Sequence, residues 1–112
     1  MTTLLALDIG GTKVGWGIVE AGDTYEVTER GSIPTDAMRG GADVAARICE
    51  LASSLVASHP SVSGVAVASA GVVNPVTGDI VSATGTMPGW GGTRLGAQLE
   101  AATGLRVRVL ND

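Results

Sequence analysis

A pair of adjacent glycines between two apolar runs constrains the fold more than any other feature of this sequence. The runs are Leu4–Ile9 and Val14–Val19, and the Gly-Gly-Thr segment Gly10–Thr12 separates them. The second run alternates larger apolar side chains with glycine, which is the period of two typical of a β-strand. A three-residue connection containing glycine joins neighbouring antiparallel strands. The chain is therefore predicted to begin with a β-hairpin whose first strand ends near Asp8.

The rest of the chain alternates between strand and helix patterns. Five further elements are predicted, in the order strand, helix, strand, helix and strand: Thr24–Pro34, Asp43–Ala57, Val62–Ala68, Thr93–Gly104 and Leu105–Leu110. The first of them is polar, as expected of an edge strand. Thr93 is the expected N-cap of the second helix, and Gly104 is expected to end it. The order βββαβαβ predicts an α/β domain with a mixed sheet.

Composition limits both the core and the partners. The chain has 112 residues, which fits one domain. Because it has no Phe, one Tyr and two Trp, its core must be built from Ala, Val, Leu and Ile. The formal net charge is −4, and the seven basic residues form no run. Nucleic acid is therefore not an expected partner, since binding it requires a basic face.

The same survey bears on the cellular compartment. A single cysteine, Cys49, cannot form an internal disulfide, which fits a reducing compartment. No apolar run approaches the ~18 residues that a membrane helix requires. The first residues lack the basic segment typical of a signal peptide. We therefore expect a cytoplasmic protein without a membrane partner.

The hairpin turn carries residues suited to a polyphosphate. Gly10 and Gly11 expose backbone N–H groups with no Cβ in the way, Thr12 adds a hydroxyl and Lys13 adds a cation. Asp8, expected to be buried at its strand end, is suited to hold Mg²⁺ through water. The segment is not a P-loop, because a strand rather than a helix follows the lysine. A plain structural turn is the alternative reading of the two glycines alone.

Two more loops follow predicted parallel strands, so we expect them at the same edge of the sheet. Asn111 and Asp112 end the last strand. An Asp there can take a proton from a hydroxyl, and an Asn can orient sugar hydroxyls, although Asn-Asp is also an ordinary turn or cap. Gly71 follows Val62–Ala68 in a Ser-Ala-Gly segment. Small residues leave room for a ligand there, and a loop that needs flexibility is the alternative.

Three isolated residues are interpreted structurally. Trp90 lies among glycines and could stack on a sugar, but packing into a gap in the core is favoured, because large aromatic side chains usually bury area. Cys49 is expected to be a small hydrophobic residue at the core boundary. His59 lies at a helix end and has no Cys or His partner for a metal.

Together, these segments resemble the ROK family of sugar kinases and related repressors. The matching stretches are Leu4–Val19, Gly64–Gly78, Met87–Leu99 and Val107–Asp112. The resemblance implies an actin-like fold, in which two α/β lobes of ribonuclease-H type enclose the active cleft. Residues 1–112 would form a single N-terminal lobe, with the second lobe outside this chain.

The resemblance also implies roles for the motif residues. ATP and Mg²⁺ would be the cofactors, with Asp8 facing the Mg²⁺–nucleotide and Gly10–Lys13 around the phosphates. Gly71 would contact the sugar through its backbone, and Asn111 would hydrogen-bond its hydroxyls. Asp112 would be the general base that deprotonates the attacking hydroxyl, usually on C6. Zinc is expected only in the second lobe, and a homodimer is compatible with the full-length protein.

Several functions are compatible with this resemblance. Glucose is the first expected substrate, and an N-acetylated amino sugar such as N-acetylmannosamine is the second. Thr86 replaces an Asn frequent in the family, and no proline lies beside Gly71, so the sugar is left open. A sugar-responsive repressor would carry a winged helix before Leu4, where only three residues stand. The lobe alone is expected to be inactive, because a cleft needs two walls.

Overall fold

The computed structural model describes residues 1–112 and confirms the predicted α/β class. A single 3-10 turn over Ala37–Arg39 precedes the first helix. The strands and α-helices, in chain order, are β1 (Thr2–Ile9), β2 (Lys13–Ala21), β3 (Tyr25–Pro34), α1 (Gly41–Ser58), β4 (Val62–Ser69), β5 (Val72–Asn74), β6 (Asp79–Ser82), α2 (Leu95–Thr103) and β7 (Arg106–Asn111). Strands β5 and β6 pair as a separate hairpin, which the predicted order βββαβαβ does not contain.

Strand β1 lies at the centre of a five-stranded sheet with the order β3-β2-β1-β4-β7. It pairs antiparallel with β2 and parallel with β4, and β4 pairs parallel with β7. The polar β3 lies at an edge, as predicted. In register, Ile9 lies beside Ser69, and Ser69 lies beside Asn111. The carboxyl ends of three parallel strands therefore meet at one edge of the sheet.

The buried core lies on one face of this sheet, together with both helices. Leu5, Leu7 and Ile9 of β1 are at most 2% exposed and belong to the same cluster as residues of α1 and α2. The alternate positions, Ala6 and Asp8, line a shallow trough on the opposite face. Asp8 is exposed, so the expectation of a buried carboxylate is wrong. The reason is the strand period of two, which turns Asp8 away from the face that the helices cover.

Both helices start differently from the prediction. Helix α1 begins two residues before Asp43, directly after Gly40, whose φ of 99° allows the chain to turn into the helix. Thr93 is not the N-cap of α2, because Arg94 takes that position and no side chain caps the helix. The Gly96 N–H instead donates to the carbonyl oxygen of Gly78 at 3.0 Å. A neighbouring turn thus supplies the acceptor that a capping side chain would have provided.

His59 ties the end of α1 to the edge strand β3. Its Nδ1 lies 2.8 Å from the Leu55 carbonyl oxygen, and its Nε2 lies 2.7 Å from Oε2 of Glu29. The hydrogen bond to Glu29, followed by that to Leu55, raises the pKa of His59. Cys49 packs against the core as a half-buried residue, which confirms its boundary position, and burial raises the pKa of its thiol. Neither helix has the length and apolar character of a membrane-crossing segment.

Candidate functional site

Two loops and the end of β7 lie at the same edge of the sheet and bring the residues singled out from the sequence together. The Ala70 N–H donates to the Ile9 carbonyl oxygen at 2.9 Å, and the Asp112 N–H donates to the Ser69 carbonyl oxygen at 3.1 Å. These bonds continue the strand ladders by one residue beyond β4 and β7. Neighbouring strands are about 4.8 Å apart, so the turn after β1 and the end of β7 lie roughly 10 Å from each other.

The turn over Gly10–Thr12 presents bare backbone. The Gly10 N–H donates to the Lys13 carbonyl oxygen at 3.0 Å, whereas the N–H groups of Gly11 and Thr12 make no hydrogen bond within the chain. Neither glycine has a positive φ. A Cβ at Gly10 would come no closer than 3.4 Å to another atom, and one at Gly11 no closer than 3.9 Å. Nothing within the chain therefore requires glycine at either position.

A buried threonine supports this turn from behind, and sequence reasoning missed it. Thr35 follows β3 and has no exposed surface. Its hydroxyl donates to the Gly10 carbonyl oxygen at 2.6 Å, and its N–H donates to the Thr12 carbonyl oxygen at 3.0 Å. Arg47 of α1 donates in turn to the carbonyl oxygens of Pro34 and Thr35. The only sequence signal is a Thr directly after the proline that ends the third strand.

Two charged residues flank the turn. Asp8 and Lys13 are exposed, and the carboxylate of Asp8 makes no hydrogen bond or ion pair in the structure. A free carboxylate on the strand that leads into this turn fits a hydrated Mg²⁺, which keeps most of its waters. The structure contains no cluster of three or more His, Cys, Asp or Glu side chains that could enclose a metal by themselves. A magnesium held here would therefore be bound through water and phosphate oxygens.

The loop after β4 is fixed by Gly71 and Asn111. Gly71 has φ +96°, and a Cβ at this position would lie 2.7 Å from the Ser82 carbonyl oxygen, so only glycine fits. The Asn111 Nδ2 donates to the Gly71 carbonyl oxygen, and its Oδ1 accepts from the Val73 N–H at 3.2 Å. The Asn111 side chain therefore holds this loop against β7. One amide hydrogen and one oxygen lone pair are left for a ligand.

Asp112 lies at the end of β7, beside this loop. It is exposed, and its backbone N–H is anchored on Ser69. The carboxylate makes no hydrogen bond to another side chain. An exposed Asp without a partner is available to accept a proton from a bound hydroxyl.

Trp90 fills the core beneath these loops and does not face a ligand. It has no exposed surface, and its Nε1–H donates to Ser69 Oγ at 3.2 Å, which confirms the packing interpretation. The segment before Trp90 comes close to the turn over Gly10–Thr12, because a Cβ at Gly11 would lie 3.9 Å from Thr86 Oγ1. The hydroxyls of Thr84 and Thr86 are 2.7 Å apart and exposed. Two exposed hydroxyl groups thus lie in the segment next to this turn.

Comparison with known proteins identifies the family of this chain. Residues 4–112 match the ROK family. A β-glucoside kinase of Klebsiella pneumoniae is 31% identical over 109 residues, which are 97% of this chain and 34% of that protein. The chain spans about a third of the length of the curated relatives it matches.

Two solved structures share both the fold and appreciable sequence. A proposed N-acetylmannosamine kinase of Listeria monocytogenes is 32% identical with a TM-score of 0.79, over 99% of this chain and 35% of the other. An inorganic polyphosphate/ATP-glucomannokinase of an Arthrobacter strain is 30% identical with a TM-score of 0.74, over 100% of this chain and 45% of the other. The ribonuclease-H-like lobe of an actin-like ATPase fold is thereby confirmed. From its sequence match over nearly all its length, and from its fold, the chain belongs to the ROK family.

Proposed function

We propose that this chain is the N-terminal lobe of a kinase that transfers a phosphoryl group from ATP to a hexose hydroxyl. The observation that carries the proposal is the turn over Gly10–Thr12, where two glycines occur although the chain itself leaves room for a Cβ at both. A ligand that approaches the backbone closely explains that choice, and the unpaired amides of Gly11 and Thr12 suit an anion. A plain structural turn leaves the glycines unexplained.

The phosphate side of the site would be built from the turn and its flanks. The N–H groups and the Thr12 hydroxyl would bind phosphate oxygens, and the Lys13 ammonium would neutralise part of their charge. Asp8 would hold Mg²⁺ through water, and the ion would supply charge neutralisation for the phosphates. Phosphoryl transfer depends mainly on such positioning and charge stabilisation, so this set is sufficient in kind.

The sugar side would be built from the ends of β4 and β7. The free amide hydrogen and lone pair of Asn111 would orient sugar hydroxyls, and the Gly71 backbone would contact the ring. A carboxylate oxygen of Asp112 would take the proton from the attacking hydroxyl as its oxygen bonds to phosphorus. The roughly 10 Å between the β1 turn and the end of β7 leaves space for both substrates.

The site described here has one wall. The chain spans about a third of its curated relatives, and Asp8 and Asp112 both face solvent. A second lobe would close the cleft, exclude water, and complete the nucleotide and sugar contacts, including any zinc site. We therefore expect no sugar phosphorylation from residues 1–112 alone.

The substrate class is a hexose or an N-acetylated hexosamine. The similar proteins carry the names β-glucoside kinase, proposed N-acetylmannosamine kinase and glucomannokinase. Glucose is the first substrate we propose, and N-acetylmannosamine is the second. An assay coupled to ADP release should be run with each sugar, both on this chain and on a two-lobed protein that contains it.

ATP-dependent turnover of one of these sugars is expected only from the two-lobed protein. Turnover by the isolated chain would contradict the requirement for a second wall. Absence of turnover with every hexose and N-acetylhexosamine would overturn the proposed reaction.

A further inference from the structure

Thr35 is a polar residue buried without exposed surface, yet each of its polar groups has a partner. Its hydroxyl and its N–H bind the carbonyl oxygens of Gly10 and Thr12, which are the first and last residues of the phosphate turn. Its own carbonyl oxygen accepts from Arg47. A single residue thus holds both ends of the turn from the side that faces the core.

We propose that Thr35, itself held by Arg47, is a positioning residue that fixes the direction of the Gly11 amide in the phosphate-binding turn. This inference rests on the proposed function of the turn. The peptide group is planar and trans, so a carbonyl and the N–H of the next residue point in opposite directions. Because Thr35 holds the Gly10 carbonyl, the Gly11 N–H points away from Thr35. The N–H of Thr35 holds the Thr12 carbonyl in the same way, so the N–H of Lys13 also points away from Thr35.

The turn needs such a support because of its glycines. A peptide between two glycines rotates at little steric cost, since both residues tolerate either sign of φ. A flip of the Gly10–Gly11 peptide would replace an N–H with a carbonyl oxygen on the ligand side, where it would repel a phosphate. The 2.6 Å bond from the Thr35 hydroxyl opposes this flip. The Gly11 N–H therefore faces an anion reliably only while Thr35 holds the Gly10 carbonyl.

Arg47 fixes Thr35 in place. Its guanidinium donates to the Thr35 carbonyl oxygen, to the Pro34 carbonyl oxygen at 3.1 Å and to Asp43 Oδ2 at 2.8 Å. Hydrogen bonds from a charged donor are stronger than neutral ones. Since Arg47 and Asp43 both lie on α1, the end of β3 cannot shift without breaking bonds to the helix. The support runs from α1 through Thr35 to the phosphate turn.

The first test measures the turn directly, in the 112-residue chain. Thr35→Val removes the hydroxyl but keeps the shape and the backbone N–H. Thr28→Val is the matched control, because Thr28 also donates from β3 to a carbonyl of β2, Ile18, at 3.3 Å and away from the turn. NMR order parameters of the Gly11 amide should be near the rigid value of ~0.85 in the wild type and the control. In Thr35→Val they should fall below about 0.6.

The second test measures kinetics in the two-lobed protein. Thr35→Val should raise the KM for ATP roughly tenfold, the scale of one lost hydrogen bond to a charged group, and leave the KM for the sugar within about twofold. Thr35→Ser keeps a hydroxyl and should restore the wild-type KM for ATP. A residue that only stabilises the fold would lower activity without separating the two KM values.

A further variant guards against unfolding. Arg47→Gln removes the support of Thr35 at a site where the side chain is 23% exposed. It should lower the order parameter of the Gly11 amide and raise the KM for ATP, as Thr35→Val does, but by smaller amounts. Wild-type order parameters in folded Thr35→Val and Arg47→Gln chains would overturn the positioning role. If no sugar is phosphorylated by any two-lobed protein, the proposed function fails, while the order parameters still decide the role of Thr35.

Discussion

Replacing Trp90 by alanine would remove the largest fully buried side chain from beneath the site. The side chain has no exposed surface, and its Nε1–H donates to Ser69 Oγ at 3.2 Å. Truncation of a buried Trp costs about 3–5 kcal/mol, because the surrounding residues fill the cavity only in part. The lost hydrogen bond is included in that range and accounts for about 1 kcal/mol of it.

A change of this size is a large part of the stability of a domain, which is about 5–15 kcal/mol in all. Each kcal/mol shifts the Tm of a chain of this length by roughly 4 °C or more, so Trp90→Ala should lower the Tm by more than about 12 °C. Urea unfolding followed by far-UV circular dichroism measures the free energy without relying on the fluorescence of the residue replaced.

The other tryptophan supplies a matched control. Trp16 is partly buried and lies over Gly31, where a Cβ would come within 2.7 Å of its ring. Trp16→Ala should cost clearly less than Trp90→Ala, because less of its surface is removed from water on folding. A free energy of unfolding for Trp90→Ala within 1 kcal/mol of the wild type would refute the assignment of Trp90 to the core.

Two further predictions concern the framework around the site. A Cβ at Gly41 would overlap the carbonyl group of Gly89, which packs on the start of α1. Gly41→Ala should therefore lower the free energy of unfolding in urea by about 1–3 kcal/mol. Gly85→Ala, where a Cβ has open space, should change stability by less than about 0.5 kcal/mol, and equal effects would contradict the packing at Gly41. The pKa of His59 is raised in the folded chain, mainly by its hydrogen bond to Glu29. The stability that this bond contributes is fully present below the unfolded pKa of about 6.5, and it is lost as the pH rises through the folded pKa. The Tm difference between wild type and Glu29→Gln should therefore shrink from pH 5.5 to pH 8.5, and a difference that grows would contradict the assignment.

The sequence carries most of the information about the fold, because its strands and helices have clear periods. The strand period of two in Val14–Val19 and the helical spacing in Asp43–Ala57 both depend on local apolar pattern, and both elements are present. Starts of helices were less predictable. Thr93 has the chemistry of an N-cap, but the carbonyl of Gly78 reaches the first turn of α2 instead, and that contact comes from a distant part of the chain.

The sequence predicted which loop residues form the site, but not the buried residues that hold those loops in place. Gly10, Gly71 and Asp112 could be placed at one sheet edge because they follow strands that were predicted to run parallel in one sheet. The exposure of Asp8 depends on which face the helices cover, and a strand pattern alone does not decide that. The position of Thr35 after a proline was too weak a signal, because its buried hydroxyl binds the carbonyl of Gly10, and that contact depends on the tertiary position of a turn 25 residues away.

The most direct test of the proposed reaction is the Asp112→Asn variant of a two-lobed protein that contains this chain. Loss of a general base lowers kcat by about 10²–10⁴, and the amide should leave the Kd for the sugar within roughly threefold. Asp23→Asn, in the exposed turn between β2 and β3, is the control and should keep wild-type turnover. We predict that sugar binding persists in Asp112→Asn while phosphorylation is lost. Turnover at the wild-type rate in that variant would contradict the assignment of Asp112 as the base, and with it the account of this site.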